Sequence, residues 1–410
     1  MPNAELAFYL EDLGGGGVQV VFTRLARALA ARGRRVELWA ASTEGRLAAT
    51  LPAGIPVVPI ACASRVRTAR EVLRAAPRLA PATLAAILLG REPETALREI
   101  DGLASALQQR RPSILLAATP YRNLEALLAR ERAGGGTRIV VSEHNDLRAG
   151  HGLGRGRHRM LLGRLQRALY PRADAIVAVS RGAAEDVARR SGLPLERVTV
   201  IHNPAVPSDV AARGAEPIEH PWLAPGEPPV VLAVGRLGAA KDLETLLRAF
   251  ARLRRQRPAR LVVLGSERRP EKTTRRIAAL RALAAGLGSA GDVDFVGYAD
   301  NPFAWMARAA VLAVSSRNEG FCNVIAEALA CGCPVVSTDC PSGPAEILDG
   351  GRYGRLVAVG DDLAMAGALA ATLAEPRDAE RLRARGARFG IENAVHRYEG
   401  LLWPTGTREA

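Results

Sequence analysis

The sequence predicts two doubly wound α/β domains, each built on a parallel sheet, facing one another across a central cleft. Three observations lead there. At 410 residues the chain exceeds one ordinary domain. Short apolar runs alternate with segments of helical periodicity, the order that a parallel sheet covered on both faces requires. The alternation stops over 204–229, where seven prolines fall, and then restarts. Two such domains would turn their strand C-termini toward a shared cleft.

In chain order, Ala4–Leu10 predicts a first strand. The glycine run Gly14–Gly17 follows, then a helix over Val18–Arg32 stopped by Gly33. Further strands are expected at Arg35–Ala40, at Val57–Ile60 between prolines, at Ile114–Ala118, and at Arg138–Ser142 after the loop Gly134–Gly136. Ala175–Ser180 leads into a helix from Ala183, and Val198–Ile201 closes the first half. Residues 204–229 carry no periodicity and read as an interdomain connection. The second half predicts strands at Pro229–Val234, Arg260–Leu264, Val293–Val296, Val311–Ser315, Pro334–Ser337 and Leu356–Val359. Its helices are expected at Leu243–Gln256, Asn323–Ala330 and Asp361–Leu373. A final amphipathic helix, Ala384–Leu402, has Phe389, Val395, Tyr398 and Leu402 as apolar points. The expected domains are 1–203 and 204–383, with a helical tail over 384–410.

Composition narrows the function. Hydrophobic residues make up 48% and charged residues 24%, a globular balance. No run of 18 or more residues is apolar and free of charge, so no membrane-spanning helix is expected. The N-terminus carries acids where an export signal carries bases, which points to the cytoplasm. The five cysteines are an odd number and read as reduced thiols. Cys331-Gly-Cys333 and Cys340 have no nearby histidine and are spaced more tightly than zinc ligands, so small buried thiols are expected and no metal.

The net charge of +14 is uneven. Residues 1–203 hold 30 arginines against 18 acids, an excess of +12, while 204–410 hold 26 bases against 24 acids, an excess of +2. That pattern suits an anionic partner for the first half, or simply an arginine-rich usage in which only Lys241 and Lys272 are lysine. Arg148–Arg172, with seven arginines and two histidines around Met160, Leu161, Leu162, Leu165 and Leu169, reads either as an amphipathic helix on anionic lipid or as ordinary packing with a solvated basic face. Leu79–Leu89 would add a membrane-facing patch. At 4% aromatic residues the chain has no aromatic platform for nucleic acid, and none is expected as a partner.

The chemistry concentrates in Ser316-Arg-Asn-Glu319-Gly-Phe-Cys-Asn323-Val-Ile-Ala-Glu327. A buried strand runs into a loop, and a helix is expected from about Phe321, whose free N–H groups suit a phosphate or polar sugar. Gly320 allows close backbone approach. Glu319 lies beside that helix start and Glu327 roughly 9 Å along it. One carboxylate would meet a sugar near its diphosphate and the other would accept from ribose hydroxyls. By itself the pair also reads as a dipole-complementing acid and an exposed glutamate. In Val234-Gly235-Arg236-Leu-Gly-Ala-Ala-Lys241-Asp242 two cations five apart follow a strand, an arrangement suited to a diphosphate leaving group. Gly14–Gly17 matches no nucleotide fingerprint spacing. Asp292-Val-Asp294 has the form of a metal motif but precedes a strand, so no divalent metal is inferred.

On the spacing Glu319-x7-Glu327 in its strand–loop–helix setting, the sequence resembles the family-4 retaining glycosyltransferases of the GT-B fold, whose two domains are Rossmann-like. Cys340-Pro-Ser-Gly-Pro-Ala-Glu346 is similar to the following segment of bacterial members that build surface polysaccharides or lipid-linked glycans. The resemblance implies that Glu319 contacts donor-sugar hydroxyls, that Glu327 holds the ribose, and that Arg236 and Lys241 take the diphosphate. It implies that Gly16 and Gly17 close over the donor, that His144 meets the donor sugar, and that backbone around Val296 borders the base. Gly320, Phe321, Cys322 and Asn323 complete the implied donor site. Glu319, Arg236, Lys241 and His144 are the implied catalytic set. A nucleotide sugar would be the co-substrate, a UDP-sugar before a GDP-sugar, with no metal or other cofactor. The acceptor would be a glycan or lipid-linked glycan, met at the inner face of the membrane by a peripheral protein. The acceptor would enter on the face the diphosphate leaves, and the tail 384–410 would cross back to the first domain. Rivals are a nucleotide-sugar epimerase of the same fold, a glycan phosphorylase, and a basic nucleic-acid-binding protein.

Overall fold

A computed structural model of the chain describes residues 4–52, 54–62, 69–70, 73–74, 97–147, 157–266 and 270–404. The expected membrane patch at Leu79–Leu89 lies outside these residues. The fold divides into two units: residues 1–204 with 391–410, and residues 205–390.

The first unit is a seven-stranded sheet of β1 (Leu6–Leu10), β2 (Val36–Ala40), β3 (Val57–Pro59), β4 (Ile114–Ala118), β5 (Arg138–Glu143), β6 (Ala175–Ala178) and β7 (Val198–Val200). The order is β3-β2-β1-β4-β5-β6-β7, with every pair parallel. All residues of β1, β2 and β4 are buried, which is why these strands read as unbroken apolar runs. The helix Gly17–Ala31 lays Val21, Phe22, Leu25 and Leu29 onto the sheet. The last helix, Ile391–Leu402, adds Val395, Tyr398 and Leu402 to that same core, each side chain worth roughly 1.5–3 kcal/mol of burial. Arg32 pairs with Glu392 and with Glu399, at 2.5 Å for the latter, and fixes the helix on its outer side.

The basic helix of the first half runs Arg157–Leu169. Its Leu161, Leu162, Leu165 and Leu169 are buried in the unit, while Met160, Arg164 and Arg167 are exposed. Of the two readings of this stretch, internal packing accounts for its four leucines, while Met160 lies exposed beside Arg164 and Arg167. Among the described residues no helix is long and apolar enough to cross a membrane.

The second unit is a six-stranded parallel sheet of β8 (Val230–Val234), β9 (Arg260–Leu264), β10 (Val293–Gly297), β11 (Val311–Val314), β12 (Val335–Thr338) and β13 (Arg355–Val357), in the order β10-β9-β8-β11-β12-β13. Leu246, Phe250 and Leu253 of the helix Leu243–Arg254 pack with Met365 and Leu369 of the helix Asp362–Ala374 over Val231, Leu261 and Val311.

The proline-rich segment begins where the two units divide, as expected of an interdomain connection, and it is packed. It forms a strap on the second unit, with a short helix Val210–Ala215 packed against the helix Pro302–Arg308. Asn301 Nδ2 donates to the Arg213 carbonyl at 2.8 Å, and the Arg213 guanidinium lies 4.6 Å from the Phe303 ring centre. His220 Nε2 lies 3.1 Å from Asp294 Oδ2, with the ring edge-on to Trp222 and Trp305. Side chains of high contact value replace periodicity in this strap, so the pattern was silent. The single terminal helix expected over Ala384–Leu402 is two helices, Ala379–Ala387 and Ile391–Leu402. A Cβ on Gly386 would lie 2.3 Å from Ala330 N, so the first helix presses its backbone onto the helix Asn323–Ala330. It ends there because Phe389 turns to the Phe321 ring, 5.5 Å away, and Val206 N–H donates to the Phe389 carbonyl at 3.1 Å.

Candidate functional site

In the second unit the strand order reverses between β8 and β11, and the connections leaving their C-terminal ends diverge to opposite sides of the sheet. Such a point leaves a crevice at the strand ends. Here it is lined by Val234, Gly235, Arg236, Lys241, Ser315 and Ser316.

The crevice wall is held by backbone alone on one side. Gly235 N–H donates to the Leu264 carbonyl at 2.9 Å, and Gly265 N–H donates to the Gly297 carbonyl at 2.6 Å. Gly235, Gly265 and Gly297 thus form a ladder across the ends of β8, β9 and β10. A Cβ on Gly265 would fall 1.7 Å from Gly235 O, so only glycine permits this approach. Gly265 is a site determinant that the sequence reading missed. A lone glycine after a strand says nothing of which neighbour it must touch.

On the floor, Lys241 Nζ donates to Glu319 Oε1 at 2.5 Å, and Ser316 Oγ donates to the same oxygen at 2.7 Å. Among the described residues Glu319 Oε2 has no donor, so one carboxylate oxygen is held and the other is open to a ligand hydroxyl. Burial works to lower the Lys241 ammonium's pKa, but the Glu319 carboxylate outweighs it and holds the ammonium above the ordinary lysine range. Lys241 stays charged. Arg236 is exposed at the mouth and has no hydrogen-bond or ion-pair partner among the described residues. Ser316 is fully buried, and its carbonyl accepts from Thr338 Oγ1 at 2.6 Å. Ser315 and Thr338 were also missed, and Ser316 was read only as the start of the motif. Serines at the end of a buried strand were the available signal.

The helix after Glu319 runs Asn323–Ala330 as expected from its apolar spacing, two residues later than the approximate start at Phe321, because Cys322 takes a left-handed conformation at φ 75°. Glu327 is consequently in the second turn, about 6 Å along the axis from Asn323 instead of 9 Å. No side chain caps this helix start. Phe321 and Cys322 are buried, and Asn323 and Glu327 are half-buried. Burial pushes the Cys322 thiol well up, and those of Cys331, Cys333 and Cys340 to about 12, so these four are inert small hydrophobes. Cys62, by contrast, is exposed. Val296 is 40% exposed on β10, at the edge of the sheet and two strands from β8. Asp292 and Asp294 sit at the opposite end of β10, paired with Arg254, Arg260 and His220.

The remaining expected residues belong to the first unit. Gly16 precedes the helix that Gly17 begins, and no side chain caps it. Asp12 Oδ1 accepts from Gly14 N–H at 2.8 Å and from Gln19 Nε2 at 3.0 Å, which shapes the glycine turn. His144 follows β5, with Nε2 2.9 Å from Ser142 Oγ and its ring edge-on to Phe22 of the same helix. Burial drives its pKa down to about 3, so the ring is neutral, and Nδ1 has no partner among the described residues. The neighbouring Glu143 is anchored by Tyr170 and by Gln166 Nε2 at 3.2 Å. Beneath the sheet, Glu125 Oε2 accepts from Tyr9 OH at 2.8 Å and meets Arg122. Burial lifts the Glu125 carboxyl to about 7 despite the Arg122 charge.

A family described as Glycosyltransferase Family 4 matches residues 15–208, and one described as Glycosyl transferases group 1 matches residues 228–375. The N-acetylgalactosamine-N,N'-diacetylbacillosaminyl-diphospho-undecaprenol 4-alpha-N-acetylgalactosaminyltransferase of Campylobacter jejuni is 32% identical over 48% of this chain and 50% of its own length. The lipopolysaccharide core biosynthesis glycosyltransferase LpsE of Rhizobium meliloti is 33% identical over 56% and 61%. The chain spans about half the length of the curated relatives it matches, between 50% and 61% for the first of them. Among solved structures, Anabaena Alr3699/HepE in complex with UDP and glucose superposes with a TM-score of 0.72 at 18% identity, covering 97% of this chain and 98% of that one. WaaG, involved in lipopolysaccharide biosynthesis, superposes with a TM-score of 0.68 at 18% identity, covering 97% and 100%.

Proposed function

Because the chain belongs to the family-4 glycosyltransferases and has the GT-B fold, we propose that it moves a hexose or N-acetylhexosamine from a nucleoside-diphosphate sugar to a glycan or lipid-linked acceptor, with retention at the anomeric carbon. The observation that carries this reading is the pairing of Lys241 with one oxygen of Glu319, beside Arg236, which has no partner among the described residues, at the switch point of the second unit. Two cations at the strand ends suit a diphosphate whose charge grows as the glycosidic bond breaks. The open Glu319 oxygen suits a sugar hydroxyl next to that diphosphate, and Glu327, one turn into the helix, suits the ribose. Gly16, Gly17, His144, Val296, Gly320, Phe321, Cys322 and Asn323 are the further donor contacts of the proposal. Glu319 acts as an oriented acceptor and not as a nucleophile, since its charge is already engaged by Lys241. The acceptor hydroxyl then attacks on the leaving-group face and gives its proton to a phosphate oxygen. No step calls on a metal.

A UDP-sugar is the proposed donor, supported by the UDP and UDP-glucose complexes of the HepE fold relative. A lipid-linked or lipopolysaccharide acceptor is supported by the diphospho-undecaprenol in the Campylobacter jejuni relative's name and by the role named for LpsE. The exposed arginines of the first unit fit approach to an anionic membrane surface from the cytoplasmic side. The test is a melting-temperature screen with UDP-, GDP- and ADP-sugars. Stabilisation by the UDP series, lost in Glu327→Ala, is expected. A chain indifferent to all three series would overturn the reading, and conversion of the nucleotide sugar to its epimer without an acceptor, followed by NMR, would favour the epimerase instead.

A further inference from the structure

We propose that Arg317, through Asp242, is a positioning residue that holds Lys241 against Glu319; the inference rests on the nucleotide-sugar reading above and names a residue that reading does not use. The loops leaving β8 and β11 are tied on both sides of Lys241. Ser315 Oγ donates to the Lys241 carbonyl at 2.7 Å, and Arg317 N–H donates to the Ala240 carbonyl at 2.8 Å. Arg317 Nη2 then donates to Asp242 Oδ1 at 3.0 Å, while Asp242 Oδ2 accepts from Thr245 Oγ1 at 2.9 Å. The Arg317–Asp242 bridge therefore begins one residue after Lys241 and ends two residues before Glu319.

Asp242 makes this bridge consequential. It is 1% exposed and left-handed at φ 45°, a conformation a non-glycine residue keeps only where its surroundings over-determine it. That turn sends the chain from Lys241 into the helix Leu243–Arg254. Lysine has a long rotatable stem, so the position of Nζ depends on the backbone beneath it and on its partner. Arg317 secures both, since it grips the turn after Lys241 and lies on the loop that carries Glu319. Its own side chain is 45% exposed, but that of Asp242 is 1% exposed, so the pair also adds to the stability of the turn. Its value lies in keeping the cation where charge develops on the leaving group.

The rival role is direct contact between Arg317 and the diphosphate, and a double-mutant cycle separates the two. UDP binding to the full chain is titrated calorimetrically for the wild type, Arg317→Ala, Arg317→Lys, Lys241→Ala and the double variant Arg317→Ala/Lys241→Ala, with melting curves for each. Positioning predicts that Arg317→Ala weakens UDP about tenfold at a temperature well below its melting point, where the variant is fully folded, with a melting temperature lowered by no more than a few degrees for the carboxylate left behind. Arg317→Lys should recover most of the loss. With Lys241 already removed, the further change Arg317→Ala should matter less than twofold, because the group it positions is gone. Equal losses in both backgrounds would assign direct contact and overturn the proposal, as would an Arg317→Ala variant that binds like the wild type. A wild-type chain that binds none of UDP, GDP and ADP would instead fell the donor reading, and this inference with it.

Discussion

Replacing Gly265 with alanine adds one methyl group two strands away from Glu319, yet it should dismantle the site. The new Cβ would lie 1.7 Å from the Gly235 carbonyl oxygen, where contacts under 3.0 Å are essentially never seen, so the ends of β8 and β9 must part by more than 1 Å. The backbone at φ 147° costs a side-chain-bearing residue a further ~1–3 kcal/mol. The parting stretches the Gly235-to-Leu264 and Gly265-to-Gly297 hydrogen bonds, each worth about 1 kcal/mol. A loss of roughly 3 kcal/mol lowers the melting temperature of a unit this size by about 10 °C. Arg236 follows Gly235 directly, so UDP affinity should fall at least about tenfold, the effect of a misplaced positioning group. Gly367→Ala is the matched control. It lies exposed inside the helix Asp362–Ala374, its Cβ would meet nothing within 4 Å, and it should stabilise by about 0.5–1 kcal/mol while leaving UDP binding intact. Calorimetric melts and UDP titrations read both quantities. A Gly265→Ala variant that melts with the wild type, or melts lower yet binds UDP at full strength, would refute the idea that the glycine ladder positions Arg236.

Two pH effects follow from the buried groups of the first unit. Between pH 6.5 and about 3 folded His144 stays neutral while the unfolded chain takes up a proton. Its contribution is therefore intact above pH 6.5 and is lost as pH falls, at up to about 1.4 kcal/mol per pH unit. Denaturant melts between pH 7.5 and 5.5 should show a shallower loss in His144→Phe than in the wild type, and equal slopes would count against it. Glu125 has the opposite sign. Between pH 4.5 and about 7 the folded carboxyl keeps a proton that the unfolded chain has released, so stability should decline as pH rises through that window. Glu125→Gln should flatten the decline, and a variant as steep as the wild type would show that another group sets it.

The donor half of the site was readable because its chemistry sits at strand ends. Arg236, Lys241, Glu319 and Glu327 are ionisable residues at boundaries that apolar periodicity already marks, and the sheet order then brings the first three together. What the sequence did not carry was contact between strands. Nothing near Gly265 announces that Gly235 lies against it, and nothing in Arg317 announces a partner 75 residues earlier. The leucines of Arg157–Leu169 obey the same period whether lipid or protein covers them, so only the packed structure decides. His144 was recognisable by position, but its burial against Phe22 depends on a helix more than a hundred residues away. The break between Ala387 and Ile391 was hidden because Phe389 keeps the apolar rhythm while facing a different neighbour.

The strap over 205–229 bears on how this half of the molecule is to be cut out and handled. A fragment trimmed to the matched stretch 228–375 would lose Arg213, His220 and Trp222, and with them the cover over Phe303 and Trp305, which are 1% and 8% exposed in the whole chain. It would also lose the helix Ala379–Ala387 that lies on Asn323–Ala330, next to the proposed sugar contacts. Such a fragment would expose an aromatic surface prone to self-association. A fragment running 205–390 keeps both covers, and it is the piece with which nucleotide affinity can be weighed apart from everything the first unit does.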